Sequence, residues 1–123
     1  MTIPKPRRTA HIDLAEAQAA LESAPGEARS VALFRNGTLQ VKLYAPRGHD
    51  PQTPHTCDEV YIVAEGHGVF FDGEARWPFA PGTFLFAGSG RPHRFEDFSD
   101  DLAVWVFYYG PEGGELEVGS AAR

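Results

Sequence analysis

The chain has 123 residues, a length that favours a single compact domain. Eleven Lys and Arg residues stand against seventeen Asp and Glu, giving a formal net charge of −6, and a chain this acidic is not expected to bind nucleic acid. Hydrophobic residues make up 42% and charged residues 23%, which is typical of a globular protein and excludes a disordered one. Cys57 is the single cysteine, which excludes an intrachain disulfide and a four-cysteine zinc site.

The N-terminal residues and the hydropathy of the chain bear on its location. Residues 1–10 are polar and basic with no apolar stretch behind them, so they do not resemble a secretory signal. No apolar run approaches the roughly 20 residues that a membrane helix needs. We therefore predict a cytoplasmic protein without a membrane partner.

In chain order, the first predicted element is a helix over residues 13–24. Asp13 is a suitable N-cap, and Glu16 three residues later completes a capping box. Pro25 and Gly26 end the helix. Its apolar residues form a narrow stripe, so the helix is expected to lie on the surface of a larger unit; they are Leu14, Ala17 and Leu21.

After the helix, the hydrophobic pattern changes to a period of two, which is typical of strands with one buried face. The Asn36-Gly37 and Asp72-Gly73 pairs predict hairpin turns, because these residue types tolerate a positive φ. Short strands at close, regular spacing indicate an antiparallel sandwich or barrel, an all-β fold. Strands are predicted at residues 31–34, 39–43, 59–64, 69–71, 77–79, 83–86, 92–96 and 102–109.

Two histidines stand at the start of predicted strands: His55 precedes the strand at 59–64, and His93 enters the strand at 92–96. On a straight strand, His55 and Glu59 would lie about 13 Å apart, so ligands to one metal would require a bend at residues 56–58. Glu59 shares a strand face with Tyr61. A carboxylate on such a face is costly unless it is paired or ligated, which makes Glu59 a candidate site residue.

At these positions the sequence resembles the cupin superfamily, which carries two motifs, G-x5-H-x-H-x(3,4)-E-x6-G and G-x5-P-x-G-x2-H-x3-N. The first motif is matched by Gly48, His55, Glu59 and Gly66. The second is matched by Gly82, Gly90 and His93. The chain departs from the motifs at Thr53, Gly88 and Asp97, which stand where the family has its first histidine, its proline and its asparagine.

The resemblance implies a cupin-type antiparallel β-barrel (a double-stranded β-helix, or jelly roll) with a short N-terminal helix. We expect one cupin domain over residues 1–123, with an arm and helix at 1–29, the barrel at 30–110 and a flexible tail at 111–123. The resemblance also implies a homodimer, and the candidates for the shared surface are Val60, Ile62, Trp105 and Phe107.

The resemblance further implies a divalent metal, iron, manganese, nickel or zinc, held by His55, Glu59 and His93. Two histidines and one carboxylate suit iron with open coordination positions. Gln52 or His49 is a possible extra ligand. Because the first histidine of the motif is missing, a metal-free pair of His55 and Glu59 stays open as the alternative.

The pocket is expected to include Thr53, Cys57 and Tyr61, and the catalytic residue is unknown. Cys57 is either a small residue in the bend or a nucleophile beside His55. One function implied is a metal-dependent enzyme, of oxygenase or isomerase type, acting on a small organic molecule. The alternative is a non-catalytic cupin that binds a sugar or small metabolite without metal, and a third option is a purely structural dimer.

Overall fold

The computed structural model describes residues 9–116, which form one helix and eight strands. The first eight residues of the predicted arm and residues 117–123 of the predicted tail lie outside the described residues. The strands match the predicted ones, with ends that differ by one or two residues. The elements are α1 (Leu14–Ser23), β1 (Ser30–Asn36), β2 (Leu39–Tyr44), β3 (Asp58–Glu65), β4 (Gly68–Phe71), β5 (Arg76–Phe79), β6 (Phe84–Ala87), β7 (Arg94–Glu96) and β8 (Ala103–Tyr109).

The predicted helix is confirmed, and its first turn is capped as the sequence indicates. The Asp13 carboxylate accepts a hydrogen bond of 2.8 Å from the backbone N–H of Glu16. Burying the two apolar residues Ala17 and Leu21 stabilises the helix against the outer face of a sheet. The partners in this small cluster are Leu43, Ala45 and Ala103.

The strands form two antiparallel sheets, which confirms the predicted all-β fold. The larger sheet has the strand order β1-β2-β8-β3-β6, and the smaller one has the order β5-β4-β7. Strand β8 lies between β2 and β3, so the last of the described strands joins segments that are distant in sequence. This pairing brings β2, β8 and β3 together at the site described below.

The main hydrophobic core lies between the two sheets and is built on aromatic rings. The ring centroid of Tyr61 on β3 lies 5.1 Å from that of Phe95 and 5.8 Å from that of Phe70, both on the smaller sheet. Edge-to-face contacts of this kind stabilise a core beyond the area that they bury. The buried members are Tyr44, Tyr61, Val63, Phe70, Phe79, Leu85, Ala87, Phe95, Leu102, Val104 and Val106.

The first hairpin turn lies one residue later than the sequence predicts. Asn36 pairs with Leu39 at the ends of β1 and β2, so the two-residue loop is Gly37-Thr38 rather than Asn36-Gly37. Only Gly37 has a positive φ there, of 59°. One glycine at the first loop position is enough to reverse the chain, and Asn36 can therefore stay in the strand.

Gly66, the last residue of the first motif, ends β3 at a close approach between backbone segments. Its φ is +92°, and a Cβ atom built on it would lie 2.7 Å from the Cα of Leu102. Gly82 has the same φ but open space around it. Gly66 is therefore needed for packing as well as for its backbone conformation.

The segment after β8 is attached to the barrel over its described part. The Gly113 N–H donates a hydrogen bond of 2.6 Å to the Thr56 carbonyl, and the Glu115 N–H donates one of 2.9 Å to Asp58. The sequence did not predict these contacts. In the part of the chain that the structure describes, no helix is long and apolar enough to cross a membrane.

Candidate functional site

The site is built on the inner face of β3, where two polar side chains point into the core. Glu59 is 1% exposed and Tyr61 is 0% exposed. The alternation of the strand places both on the face opposite Val60 and Ile62. The loop before β7 adds His93, which is also buried. Burial of a carboxylate at this depth requires a partner with a charge or hydrogen-bond donors.

Glu59, Tyr61 and His93 form a triangle of hydrogen-bonding atoms. The Glu59 Oε1 atom lies 2.9 Å from the His93 Nε2 atom, and the Tyr61 hydroxyl donates to Glu59 Oε2 at 2.9 Å. The Tyr61 oxygen also lies 3.0 Å from His93 Nε2. The carboxylate is thus satisfied on both oxygens, which offsets the cost of burying it.

The geometry favours His93 as a cation. Its Nδ1 atom lies 2.8 Å from the Arg91 carbonyl, which accepts only, so Nδ1 carries a proton; Nε2 faces the Glu59 carboxylate. Burial alone would lower the pKa of His93, but hydrogen bonds to Glu59 and to the Arg91 carbonyl, with the negative charge of Glu59, raise it above the ordinary histidine value. With Nδ1 donating to the Arg91 carbonyl and Nε2 facing Glu59, the arrangement favours an imidazolium paired with a carboxylate.

The loop between β2 and β3 is tied to this triangle by one carboxylate. Asp50 accepts hydrogen bonds from the Tyr44 hydroxyl at 2.5 Å, from the Gln52 side-chain amide at 2.8 Å and from the Phe95 backbone N–H at 2.8 Å. The Gln52 Oε1 atom in turn lies 3.0 Å from the Tyr61 hydroxyl. Asp50 thus fixes the loop against both sheets and orients Gln52 toward Tyr61.

His55 joins the cluster through a tyrosine rather than directly. Its Nε2 atom lies 2.9 Å from the Tyr108 hydroxyl, and the two ring centroids are 4.5 Å apart. Burial, then the charge of Glu59, raises the pKa of Tyr108 well above the ordinary value, so Tyr108 is a neutral phenol between His55 and Glu59. The structure therefore brings Glu59 and His93 into contact and places His55 one side chain away.

The remaining predicted site residues lie at the margin of the cluster. Gln52 contacts Tyr61, whereas Thr53 and His49 are exposed. Cys57 is half-buried, and burial together with the charge of Glu59 raises the pKa of its thiol. A raised pKa lowers the thiolate fraction, which disfavours Cys57 as a nucleophile.

Sequence reasoning missed three members of the network: Tyr44, Asp50 and Tyr108. The period of two places Tyr44 and Tyr108 on strand faces, but their convergence depends on the pairing of β2 with β8 and β8 with β3. No local signal fixes that register. Asp50 lies in a loop whose path depends on the same packing.

The donor atoms fit a metal only in part. Two ligands at right angles around an ion with bonds of about 2.1 Å lie about 3.0 Å apart, and Glu59 Oε1 and His93 Nε2 meet this spacing at 2.9 Å. His55 is turned to Tyr108 instead. Within residues 9–116, no three His, Cys, Asp or Glu side chains are placed to hold one ion. As arranged, the predicted set of three does not fit a shared metal.

A cleft of about 670 Å³ borders the network, as does a smaller cavity. It reaches the network only at His93. The segment after β8 forms part of its wall. The lining residues are Asp58, Phe70, Asp72, Phe86, Ala87, Gly88, Ser89, Arg91, His93, Tyr109, Gly113, Glu115 and Leu116.

The smaller cavity, of about 240 Å³, lies at the mouth of the barrel beneath the loop between β2 and β3. We call it the mouth cavity. Four members of the hydrogen-bond network contribute to its wall. Its lining residues are Ala28, Ser30, Lys42, Tyr44, Pro51, Gln52, His55, Val106 and Tyr108.

Comparisons with known proteins agree with this architecture. An uncharacterized protein of Streptomyces coelicolor, SCO3923, is 32% identical over 93 residues, covering 74% of this chain and 89% of that protein. The crystal structure of TT1209 from Thermus thermophilus superposes with a TM-score of 0.55 at 29% identity, covering 67% of this chain and 83% of that one. A cupin-2 domain protein from Shewanella frigidimarina gives a TM-score of 0.61 at 16% identity, covering 76% and 91%.

The Cupin domain family itself matches residues 40–109, which is more than half of the chain and includes both sequence motifs, from Gly48 to Asp97. The matched segment runs from β2 through β8 and contains Glu59, Tyr61, His93 and Tyr108. The two-sheet fold, the motifs and this match agree, and the chain belongs to the cupin family.

Proposed function

We propose that this cupin binds a small organic molecule in the mouth cavity. The observation that carries the proposal is the convergence of hydrogen-bonding side chains on one mostly apolar cavity, which is the usual composition of a small-molecule site. Gln52, His55 and Tyr108 all line it. The Nδ1 atom of His55 has no hydrogen-bond partner within residues 9–116 and is available to a ligand.

The larger cleft is a weaker candidate even though it has more volume. It touches the network only through His93, and both ring nitrogens of His93 already face protein acceptors. The mouth cavity instead is lined by four members of the network, and the Nδ1 atom of one of them, His55, has no hydrogen-bond partner within residues 9–116. The Glu59–Tyr61–His93 triangle supports the wall of the mouth cavity through two of its lining residues. Gln52 contacts Tyr61, and Tyr108 lies between His55 and Glu59.

A panel of sugars and other small metabolites, both neutral and charged, screened by ligand-observed NMR, tests this proposal. Ala28→Trp plugs the mouth cavity at its exposed rim, whereas Ala80→Trp adds the same bulk at an exposed turn that lines neither cavity. We expect compounds that bind the wild type and Ala80→Trp but not Ala28→Trp. Compounds that bind all three proteins equally, or no binding by any of them, would refute the proposal.

A metal-dependent enzyme is the second candidate, supported by the proximity of Glu59 Oε1 and His93 Nε2 at 2.9 Å; an ion held by both atoms would replace their present pairing and the proton on Nε2. His55 would have to leave the Tyr108 hydroxyl to complete the set. The oxygenase or isomerase type of activity implied by the resemblance depends on this candidate.

Calorimetric titration with iron(II), manganese(II), nickel(II) and zinc(II) tests it. Tyr108→Phe frees His55 and should tighten metal binding, whereas Glu59→Gln removes a charged oxygen donor and should weaken it strongly. An absence of binding heat from both the wild type and Tyr108→Phe would exclude the second candidate.

We further propose that the chain forms a homodimer through the outer face of the larger sheet. The strand register aligns two rows of apolar residues there, with no charged residue among them; they are Val41, Phe107, Val60 and Phe86 in one row and Trp105, Ile62 and Phe84 in the next. Phe84 is 60% exposed and Phe86 is 50% exposed. A face this apolar on a chain of net charge −6 is suited to a second copy, because contact there brings no charged side chains of these rows together.

A cytoplasmic location stays a prediction.

A further inference from the structure

The mouth cavity is lined by one cationic side chain, Lys42, which is not a member of the hydrogen-bond network. Lys42 on β2 is half-buried, and its Nζ atom lies 5.5 Å from the ring centroid of Tyr108. Among the residues that the structure describes, it is the only Lys or Arg that lines this cavity, and no Asp or Glu of them lines it.

The two carboxylates of the network, Glu59 and Asp50, are paired with or accept hydrogen bonds from groups other than Lys42. Glu59 is paired with His93 and accepts from Tyr61. Asp50 accepts from Tyr44, Gln52 and Phe95. Over residues 9–116, Lys42 takes part in no ion pair, whereas several arginines do. A half-buried lysine without a counter-ion among the described residues offers its charge to an anionic ligand, and the apolar walls of the cavity would strengthen that pairing.

We infer that the molecule bound in the mouth cavity is a small monocarboxylate with an apolar body, whose carboxylate pairs with Lys42. This inference rests on the proposed function and adds the class of ligand. Val106, Pro51 and the Tyr44 ring supply apolar walls, while His55 and Tyr108 supply hydrogen-bonding groups beside Lys42. One lysine matches the single charge of a carboxylate better than the double charge of a phosphate.

Benzoate is a suitable probe, because a cavity of about 240 Å³ accommodates one ring, and benzamide is its neutral counterpart of the same shape. Both are titrated to about 10 mM against the wild type, Lys42→Met and Arg91→Gln, with binding followed by NMR. Lys42→Met keeps the apolar stem and removes the charge. Arg91→Gln removes a charge from the other cavity and serves as the matched control.

We expect the wild type and Arg91→Gln to bind benzoate at least about tenfold more tightly than benzamide. In Lys42→Met that preference should disappear. Equal binding of the two probes by the wild type would overturn the carboxylate inference and leave the proposed function standing. Loss of benzoate binding in Arg91→Gln but not in Lys42→Met would place the anion in the cleft and also overturn it. Binding of neither probe by the wild type overturns the inference, and the panel of sugars and other small metabolites then decides the proposed function.

Discussion

Glu59 Oε1 lies 2.9 Å from His93 Nε2, so a carboxylate on the inner face of β3 and an imidazole from the loop before β7 form one buried pair. Removing either partner would leave a charge without compensation in the core, which typically costs about 3–5 kcal/mol. Tyr61 contacts both members, and the loop that forms the mouth cavity is attached to Tyr61 through Gln52. The pair therefore supports the binding cavity as well as the core.

Replacing Tyr61 by Phe tests the hydrogen bonds of the triangle without changing the shape of the core. The substitution leaves Glu59 Oε2 without its donor, so we expect the free energy of unfolding to fall by about 1–3 kcal/mol in urea titrations. Tyr109→Phe is the control, since that hydroxyl has no hydrogen bond in the described part of the chain. Equal stabilities of the two variants would contradict the role of Tyr61.

Replacing Asp50 by Asn tests the attachment of the loop between β2 and β3. Asp50 accepts through both of its oxygens, whereas Asn has one acceptor oxygen, so either the Tyr44 hydroxyl or the Gln52 and Phe95 N–H groups lose their acceptor. We expect a loss of about 2–3 kcal/mol in stability. Hydrogen exchange of backbone amides should accelerate in residues 46–57 more than elsewhere. Asp100→Asn, at an exposed position, should change neither quantity.

Gly66 and Gly82 form a matched pair for separating backbone conformation from packing. Both have φ of +92°, but only at Gly66 does a new Cβ meet backbone, 2.7 Å from the Leu102 Cα. Gly66→Ala should therefore be less stable than Gly82→Ala by about 2 kcal/mol or more in thermal or urea unfolding. If both variants lose the same stability, the close approach at Gly66 is not a constraint.

The proposed dimer is tested by placing a charge in the apolar face. Ile62→Glu would put a carboxylate between two apolar surfaces, and light scattering should show the mass change from dimer to monomer. Ala80→Glu adds the same charge at an exposed turn and should remain dimeric. A wild-type mass of one chain at micromolar concentration would refute the dimer directly.

Local patterns were sufficient for the helix and the strands, because capping residues, turn glycines and the period of two act over a few residues. The period of two also identified Glu59 as a candidate site residue, since a carboxylate on an otherwise apolar strand face needs a partner. The motif spacing predicted that Glu59 and His93 are both site residues. The parts that depend on pairing between distant strands could not be predicted: the position of Tyr108 beside His55, the attachment of the loop by Asp50 and the placement of Lys42 in the mouth cavity.

The raised pKa of His93 links the buried pair to the pH dependence of stability. A group whose pKa is higher in the folded state stabilises that state fully below its unfolded pKa of about 6.5, and this contribution is lost as the pH rises through the folded value. Metal-free wild type should therefore lose stability over that window. The loss should be smaller in His93→Gln, which cannot take up the proton.

The central claim, that Glu59 holds His93 as a buried cation, is tested most directly by NMR titration of the His93 imidazole in the metal-free protein. In the wild type, the pKa of His93 should lie above the ordinary value of about 6.5, and in Glu59→Gln it should fall below its wild-type value. A His93 that titrates at or below about 6.5 in the wild type, or whose pKa is unchanged in Glu59→Gln, would contradict the account.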